Sequence, residues 1–290
     1  MSPEPHHIGK TPLRLDAFLT IGGDLAVARI GFGAMRLCGP GIWGRPRDPE
    51  AARMVLRRAI ELGVTLVDTA DAYGPEVNEQ LIAETLHPYP EGLVVATKGG
   101  LTRPRPGAWE NDGRPEYLRA ACDGSLRRLK LERIDLYQLH APDPRVPLEE
   151  SIGALADLRA EGKIRHIGIS NVSVDELRRA RRLVPIVTVQ NRYNYADRSS
   201  EEVLRERERE VITFLPWYPL EVGGSASSTG TLARIAARHN ASPAQIAIAW
   251  LLARSPITVP IPGTSSIAHL EENVAALYIR LSPKDLAESK

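Results

Sequence analysis

The chain has 290 residues, 43% of them hydrophobic, and its 37 lysines and arginines balance 36 aspartates and glutamates to a net charge of +1. A chain of this length can bury a sizeable core, but its near-neutral charge gives no basic surface for nucleic acid or an anionic membrane. Its longest apolar run, residues 246–253, is well short of the ~20 residues that a membrane span requires. Two cysteines without metal-ligand spacing, and no apolar signal-peptide segment, lead us to expect a reduced cytoplasmic protein that binds no metal.

Short apolar runs of strand character alternate with amphipathic helical stretches along the chain. The runs are continuous rather than alternating, which indicates strands buried on both faces of a parallel sheet. Two of the helical stretches, residues 49–63 and 148–162, end in glycine, as helix C-caps commonly do. The predicted strands, in chain order, are 28–34, 65–70, 93–98, 134–140, 164–170, 186–190, 212–216 and 257–263.

Eight strands, each followed by a helical stretch, predict an α/β fold of the (β/α)8 TIM barrel type. A doubly wound open sheet is the second choice, because such sheets usually have fewer strands. Residues 14–27 predict an N-terminal β-hairpin with its turn at residues 22–24, capping the bottom of the barrel. Since no linker or low-complexity segment divides the chain, we expect residues 1–290 to form a single domain.

Polar and aromatic residues follow the predicted strands at their carboxyl ends. In a β/α barrel those ends form the active-site face, so these side chains are expected to converge on one mouth. They are Asp68, Lys98, Gln138, His140, Ser170, Asn171, Gln190, Trp217 and Tyr218, with Tyr73 on the loop after the second strand.

Four of these side chains have the chemistry that carbonyl reduction requires. A tyrosine phenol is a poor acid at neutral pH, and a nearby ammonium lowers its pKa. Lys98 is expected to supply that charge to Tyr73, Asp68 to pair with the lysine, and His140 to hold the carbonyl oxygen. Because no side chain supplies a hydride, this chemistry implies a nicotinamide cofactor.

Six segments in this order resemble landmarks of the aldo-keto reductase family. They are DTADAYG (68–74), ATKGG (96–100), LYQLH (136–140), HIGISN (166–171), TVQNRYN (188–194) and IPGTSSIAHLEEN (261–273). The likeness covers roughly residues 26–280, and the CGPG loop at 38–41 is similar to bacterial pyridoxal reductase-like members. It implies an NADP-dependent enzyme that reduces small aldehydes or ketones to alcohols.

The resemblance also implies roles for individual residues. The catalytic residues would be Asp68, Lys98, His140 and Tyr73, with Tyr73 as proton donor. Cofactor-binding residues would be Gly33, Ala34, Met35, Ser170, Asn171, Gln190, Trp217, Tyr218, Pro219, Leu220, Gly263, Thr264, Ser265, His269, Glu272 and Asn273, while Trp43 and Trp109 would line the substrate pocket.

Within the cofactor set, Trp217 matches the ring that stacks on the nicotinamide, and Tyr218 stands where the family usually has serine. At the positions of Gly263 and His269, many members have a lysine and an arginine, and those cations hold the adenosine 2′-phosphate. NADPH is the expected cofactor, and NADH is the alternative. The glycine- and serine-rich segment 221–230 is expected to fold over the pyrophosphate and to be mobile without cofactor.

Two other functions are compatible with the same residues. One is a nicotinamide-binding redox sensor or regulatory subunit with slow turnover. The other is a phosphate-binding barrel lyase or isomerase, which would act without nicotinamide. His166 is interpreted as structural, and the charge run at 205–210 as the solvated face of a helix. Either a monomer or a homo-oligomer is compatible with the sequence.

Overall fold

The computed structural model describes residues 7–8, 11–12, 17–210, 212–220 and 230–289. Residues 221–229 of the segment predicted to be mobile (221–230), and the first residues of the predicted hairpin, 14–16, lie outside these ranges. The strands are β1 (His7–Ile8), β2 (Thr11–Pro12), β3 (Phe18–Ile21), β4 (Leu25–Ala28), β5 (Phe32–Gly33), β6 (Leu66–Asp68), β7 (Val94–Gly99), β8 (Leu101–Thr102), β9 (Glu110–Asn111), β10 (Ile134–Leu139), β11 (Ile164–Ser170), β12 (Ile186–Gln190) and β13 (Thr213–Phe214). The helices are α1 (Pro49–Glu61), α2 (Val77–Leu86), α3 (Pro115–Leu129), α4 (Leu148–Ala160), α5 (Val174–Arg181), α6 (Glu201–Glu210), α7 (Thr231–His239), α8 (Pro243–Arg254), α9 (Ile267–Ala275) and α10 (Pro283–Glu288).

The main sheet contains seven parallel strands in the order β13-β12-β11-β10-β7-β6-β5. Helices connect these strands, as parallel pairing requires. The register aligns Lys98 with Gln138 and Ser170 with Gln190 on neighbouring strands. Polar residues that are far apart in the sequence therefore lie at the same carboxyl edge of the sheet.

An extended segment, residues 257–262, joins the two edges of this sheet. On one side the Phe214 amide donates to the Ile257 carbonyl at 3.0 Å, and the Val259 amide donates to the Phe214 carbonyl at 2.9 Å. On the other side the Gly31 amide donates to the Pro260 carbonyl at 2.9 Å. The segment takes the place of the eighth predicted strand and closes a β/α barrel. It is not a regular strand because its two prolines have no N–H to donate to a ladder.

A β-hairpin formed by β3 and β4 precedes the barrel. Its turn places Gly22 and Gly23 at positive φ, +62° and +87°, conformations that glycine adopts without strain. The turn residue Asp24 lies 2.6 Å from the ring of His166 on β11, measured from Oδ1 to Nε2. This contact confirms the structural interpretation of His166.

Capping residues in the sequence define where several helices begin. Ser173 and Glu176 form a reciprocal capping box at α5, and Ser242 and Gln245 form another at α8. A cap of this kind is typically worth about 1 kcal/mol, because it satisfies amides that have no partner within the helix.

The charge run on α6 is only partly solvated, which corrects the sequence-based interpretation. Arg205 and Arg209 are exposed, but Arg207 is fully buried. Arg207 lies three residues after the buried Leu204 and therefore on the same face of the helix. Its guanidinium donates to Glu210 at 2.9 Å, so the buried charge is paired.

Among the helices of the described residues, none is both long and apolar enough to cross a membrane.

Candidate active site

A cavity of about 590 Å³ opens at the carboxyl ends of the barrel strands. Its lining includes most of the residues that the sequence singles out. These are Gly33, Met35, Asp68, Tyr73, Trp109, His140, Ser170, Asn171, Gln190, Trp217, Tyr218, Pro219, Leu220, Gly263, Thr264, His269, Glu272 and Asn273. The fold thus brings together residues from the ends of six strands of the main sheet and from the loops that follow them.

A buried ion pair lies at the floor of this cavity. The Lys98 ammonium donates to Asp68 Oδ2 at 2.6 Å and to the Thr69 carbonyl at 2.9 Å, and both charged side chains are almost completely buried. The other carboxylate oxygen, Asp68 Oδ1, accepts from the Gln190 amide at 2.8 Å. These contacts compensate the loss of hydration that would otherwise make two buried charges costly.

The Tyr73 phenol lies directly above the ion pair, and its oxygen is 3.3 Å from the Lys98 ammonium. The phenol ring meets the His140 ring edge-on, with 5.7 Å between ring centres, and the Trp109 ring at 6.4 Å. Gly74, at φ +93°, turns the chain immediately after the tyrosine. A conformation of this kind favours glycine because it has no Cβ.

The electrostatic balance at Tyr73 differs from the sequence-based expectation. Burial raises the pKa of the phenol, Lys98 lowers it, and the net pKa lies above the ordinary value of 10.0. The expected net lowering is therefore wrong, because burial outweighs the ammonium. Burial also acts against the charged form of Lys98, but Asp68 and Tyr73 outweigh it and hold the lysine pKa above 10.5. The site contains a protonated phenol beside a lasting positive charge.

His140 completes the cluster as a neutral imidazole. Burial, and then the nearby Lys98 charge, lower the pKa of His140 well below 6.5. Its Nδ1 atom is buried and has no hydrogen-bond partner among the described residues. A neutral imidazole beside the phenol can form a hydrogen bond without placing a second positive charge next to Lys98.

Amide and hydroxyl groups form the next part of the cavity wall. The Asn171 amide donates to the His140 carbonyl at 2.9 Å and to Ser170 Oγ at 3.1 Å, and its oxygen accepts from the Trp217 indole at 2.9 Å. Asn171 thus holds the Trp217 indole in place. Gln190 also lines the cavity, and its Oε1 atom accepts no hydrogen bond from the described residues. Asn171 has φ +58°, a conformation that asparagine tolerates better than most residues.

The far end of the cavity lies against the start of α9. Ser266 caps this helix by accepting from the His269 amide at 3.4 Å, and Thr264 Oγ1 accepts from the Ser266 amide at 3.0 Å. Ser265 instead lines a second cavity of about 680 Å³ that adjoins the first. A helix N-terminus with flanking hydroxyls favours an anion.

Besides Ser265, four residues expected at the mouth do not line this cavity, and one of them, Gln138, is fully buried. Lys98 lies beneath Asp68 and Tyr73, and Ala34 is fully buried, with its carbonyl accepting from the Asn78 amide at 2.8 Å. Trp43 is not in the described lining, and its ring lies 5.6 Å from the Arg103 guanidinium.

Arg103 shapes the wall and was not found by sequence reasoning. Its guanidinium lies 3.7 Å from the centre of the Trp109 ring and donates to the carbonyls of Ala108, Ile42 and Gly41 at 2.8, 3.1 and 3.2 Å. It therefore ties two loops together and supports the indole that faces Tyr73. No spacing rule could have identified it, because its partners are backbone carbonyls and two of them lie on a loop that is distant in the sequence.

A second buried carboxyl group, Asp71, was also missed, although it lies in the same DTADAYG segment. Tyr117 donates to Asp71 Oδ2 at 3.0 Å, whereas Oδ1 has no partner among the described residues. Burial and the nearby Glu79 carboxylate raise the pKa of Asp71 from 3.8 to about 8, against the opposing effects of Tyr117 and Arg128. The group is therefore protonated at neutral pH.

Asp71→Asn is expected to change how stability depends on pH. The folded-state pKa lies above the unfolded one, so the folded protein holds an extra proton between these values and loses stability as pH rises towards 8. Across that range the free energy of unfolding of the variant should rise relative to that of wild type by up to about 1.4 kcal/mol per pH unit. Urea unfolding at pH 5 and pH 8 measures this difference. The exposed Asp157→Asn serves as a control, and identical pH dependences of Asp71→Asn and wild type would contradict the assignment.

The barrel and the cavity at its mouth place the chain among β/α-barrel enzymes. The sequence profile of the Aldo/keto reductase family matches residues 29–290. The chain therefore belongs to the aldo/keto reductase family.

Individual relatives agree with this membership. The chain is 47% identical over 266 residues to an uncharacterised oxidoreductase of Schizosaccharomyces pombe, covering 92% of this chain and 87% of the relative. It is 42% identical over 271 residues to pyridoxine 4-dehydrogenase of Escherichia coli, covering 91% of this chain and 94% of the relative. Among solved structures, it is similar to an aldo-keto reductase from Klebsiella pneumoniae in complex with NADPH, with a TM-score of 0.81, 26% identity, and coverage of 95% of this chain and 94% of that one.

Proposed function

We propose that the protein is an NADPH-dependent reductase that converts aldehydes or ketones to alcohols. The observation that carries this proposal is the Tyr73 phenol at the cavity floor, 3.3 Å from a lysine that is itself paired with Asp68. In this arrangement the Tyr73 phenol supplies a proton, and the Lys98 ammonium stabilises the negative charge that remains on the phenol oxygen. The redox-sensor alternative needs no such proton donor.

The cavity wall fits a nicotinamide cofactor. A carboxamide needs one hydrogen-bond donor and one acceptor, and Ser170 Oγ and the open Gln190 Oε1 offer these on neighbouring strands. Trp217, held by Asn171, provides a flat apolar wall beside them. Ser170, Gln190 and Trp217 would hold the nicotinamide, and the residues from Gly263 to Asn273 would hold the adenosine end.

The bound cofactor supplies the hydride, and the side chains of the chain handle the proton. His140 orients the carbonyl oxygen towards Tyr73, its ring 5.7 Å from the phenol ring. Tyr73 transfers its proton to that oxygen as the oxygen gains negative charge. The Lys98 ammonium stabilises the resulting phenolate, and Asp68 keeps the ammonium in place. Burial keeps the phenol protonated until negative charge develops on the substrate oxygen.

The substrate end of the cavity favours planar aromatic carbonyl compounds. Trp109 lines this end, and Arg103 packs against its ring at 3.7 Å, so the indole is held in a fixed orientation. A rigid indole contributes stacking with a flat ring at little cost in conformational entropy. The E. coli relative named pyridoxine 4-dehydrogenase supports pyridoxal-type heteroaromatic aldehydes as candidate substrates.

Trp109→Ala is expected to raise KM for aromatic aldehydes by about 10-fold, since an aromatic contact contributes roughly 0.5–1.5 kcal/mol beyond area burial. KM for a small aliphatic aldehyde should change by less than about 2-fold, because that substrate makes no stacking contact. Steady-state kinetics with benzaldehyde, pyridoxal and propanal measures the two effects. An equal rise for all three substrates would contradict aromatic selection by this residue.

NADPH consumption by the wild-type protein with a panel of aldehydes and ketones tests the proposed function. Carbonyl-dependent consumption with formation of the matching alcohol is the expected result. Tight NADPH binding without turnover would favour the sensor alternative, and activity without any nicotinamide would favour a lyase or isomerase.

We also infer the domain organisation and the cellular location of the protein. Residues 1–290 form one domain, and the β3–β4 hairpin caps the bottom of its barrel. The burial of Ile21 and Leu25 in one cluster with Leu66 and Leu136 of the barrel strands supports the cap. Two free cysteines support a reduced, cytoplasmic location.

A further inference from the structure

The adenosine end of the cavity has too little positive charge of its own for a phosphate. Residues 263–273 contain no lysine or arginine, whereas Glu272 in this segment lines the cavity with a negative charge. His269 is the only other polar side chain of this segment that is exposed at the cavity with a ring nitrogen, and it offers no guanidinium or ammonium group. A phosphate dianion at this end needs a cation from elsewhere in the chain.

Backbone packing explains why position 263 has no cationic side chain. A Cβ atom built on Gly263 would lie only 2.5 Å from the Gly33 carbonyl oxygen, and a Cβ on Gly33 would lie 2.6 Å from the Ile261 carbonyl oxygen. The two glycines allow the barrel to close where the 257–262 segment meets β5. A lysine at 263 would require the backbone at this seam to move.

Arg36 lies beside this seam and faces both cavities. It follows Gly33 by three residues, on the short 3-10 helix Ala34–Leu37, and it lines the first cavity together with Gly263 and the second together with Ser265. Its Cγ atom is 3.4 Å from the point where a Gly263 Cβ would stand. The glycine thus provides the space over which the arginine side chain lies.

The positive charge of Arg36 is not paired with a carboxylate of the described residues. The side chain is exposed, and its guanidinium has no ion pair or hydrogen bond with the described residues. The nearby Arg45 and Arg53 both pair with Glu84, at 3.0 and 3.1 Å. Within the described lining of the first cavity, Arg36 is the only lysine or arginine.

We infer that Arg36 binds the adenosine 2′-phosphate and is the main source of preference for NADPH over NADH. This inference rests on the proposed function, because it takes NADPH as the cofactor. The guanidinium binds the phosphate through paired N–H donors, while Thr264 and the N-terminus of α9 supply neutral donors. The cation that many family members carry on the segment after the last strand comes here from the loop after β5.

The Arg36→Met variant tests the inference. Its binding of NADPH and of NADH is measured directly, by quenching of tryptophan fluorescence and by calorimetry. We expect NADPH affinity to fall by about 10- to 100-fold, the loss typical of a charge-assisted contact to phosphate, with NADH affinity changed by less than about 3-fold. Arg47→Met is the matched control. Arg47 is likewise exposed and without an ion pair to the described residues, but it lines only the second cavity.

Equal weakening of NADPH and NADH in Arg36→Met would overturn the inference, since it would indicate a contact to the pyrophosphate that both cofactors share. Unchanged NADPH affinity would also overturn it. Both results leave the proposed function standing as long as the wild-type protein binds NADPH and reduces a carbonyl compound. If the wild-type protein binds neither cofactor, the proposed function itself fails.

Discussion

Tyr73→Phe is expected to reduce the rate of carbonyl reduction by about 10²–10⁴-fold, the usual contribution of a positioned general acid. The substitution removes a single oxygen atom that lies 3.3 Å from the Lys98 ammonium, and it keeps the ring that packs against His140 and Trp109. NADPH affinity should stay within about 2-fold of wild type, because the phenol acts on the carbonyl oxygen that gains charge only in the transition state.

Single-turnover kinetics measures this prediction, because it separates hydride transfer from product release. Tyr278→Phe, which alters an exposed tyrosine on the 3-10 helix Ala276–Tyr278, is a suitable control and should behave as wild type. A Tyr73→Phe variant that retains more than a tenth of the wild-type rate would show that another group donates the proton.

Lys98→Met is expected to abolish turnover and to lower the free energy of unfolding by about 3–5 kcal/mol, as removal of one member of a buried ion pair usually does. The Asp68 carboxyl group would be left buried with only the amide donors of Gln190 and Gln138, at 2.8 and 3.3 Å. The same change also removes the ammonium that stabilises the phenolate, so activity and stability fall together.

Urea unfolding of three variants separates the ion pair from a general loss of charge. Lys163→Met breaks a half-exposed pair with Asp123 at 2.8 Å and should cost less than about 1 kcal/mol. Adding Asp68→Leu to Lys98→Met should restore part of the lost stability, because no buried charge then lacks a partner. Similar losses for Lys98→Met and Lys163→Met would contradict the buried pair.

The barrel could be predicted from the sequence because its strands are continuous apolar runs separated by helical stretches. The weakest prediction concerned residues 257–263, where prolines interrupt the ladder and the chain closes the barrel through a few hydrogen bonds. The burial of Arg207 was also missed. A run of alternating charges suggests a solvated face, and only the position of the helix on the barrel shows which arginine points inwards.

The convergence of Asp68, Tyr73, Lys98 and His140 could be predicted because each lies at a strand end or on the following loop. The balance of their charges could not be predicted, since the pKa of Tyr73 depends on how deeply the phenol is buried. Arg36 and Arg103 were missed for a related reason. Their roles depend on contacts across loops that are far apart in the sequence.

The proposed reaction transfers a hydride from a nicotinamide to a carbonyl carbon, with the proton coming from Tyr73. The most direct test uses NADPH deuterated at both C4 positions, an aromatic aldehyde and the wild-type protein, with mass spectrometry of the product. One deuterium on the alcohol carbon is the predicted result, and its rate of appearance should collapse in Tyr73→Phe. NADPH oxidation without a labelled alcohol would contradict the claim.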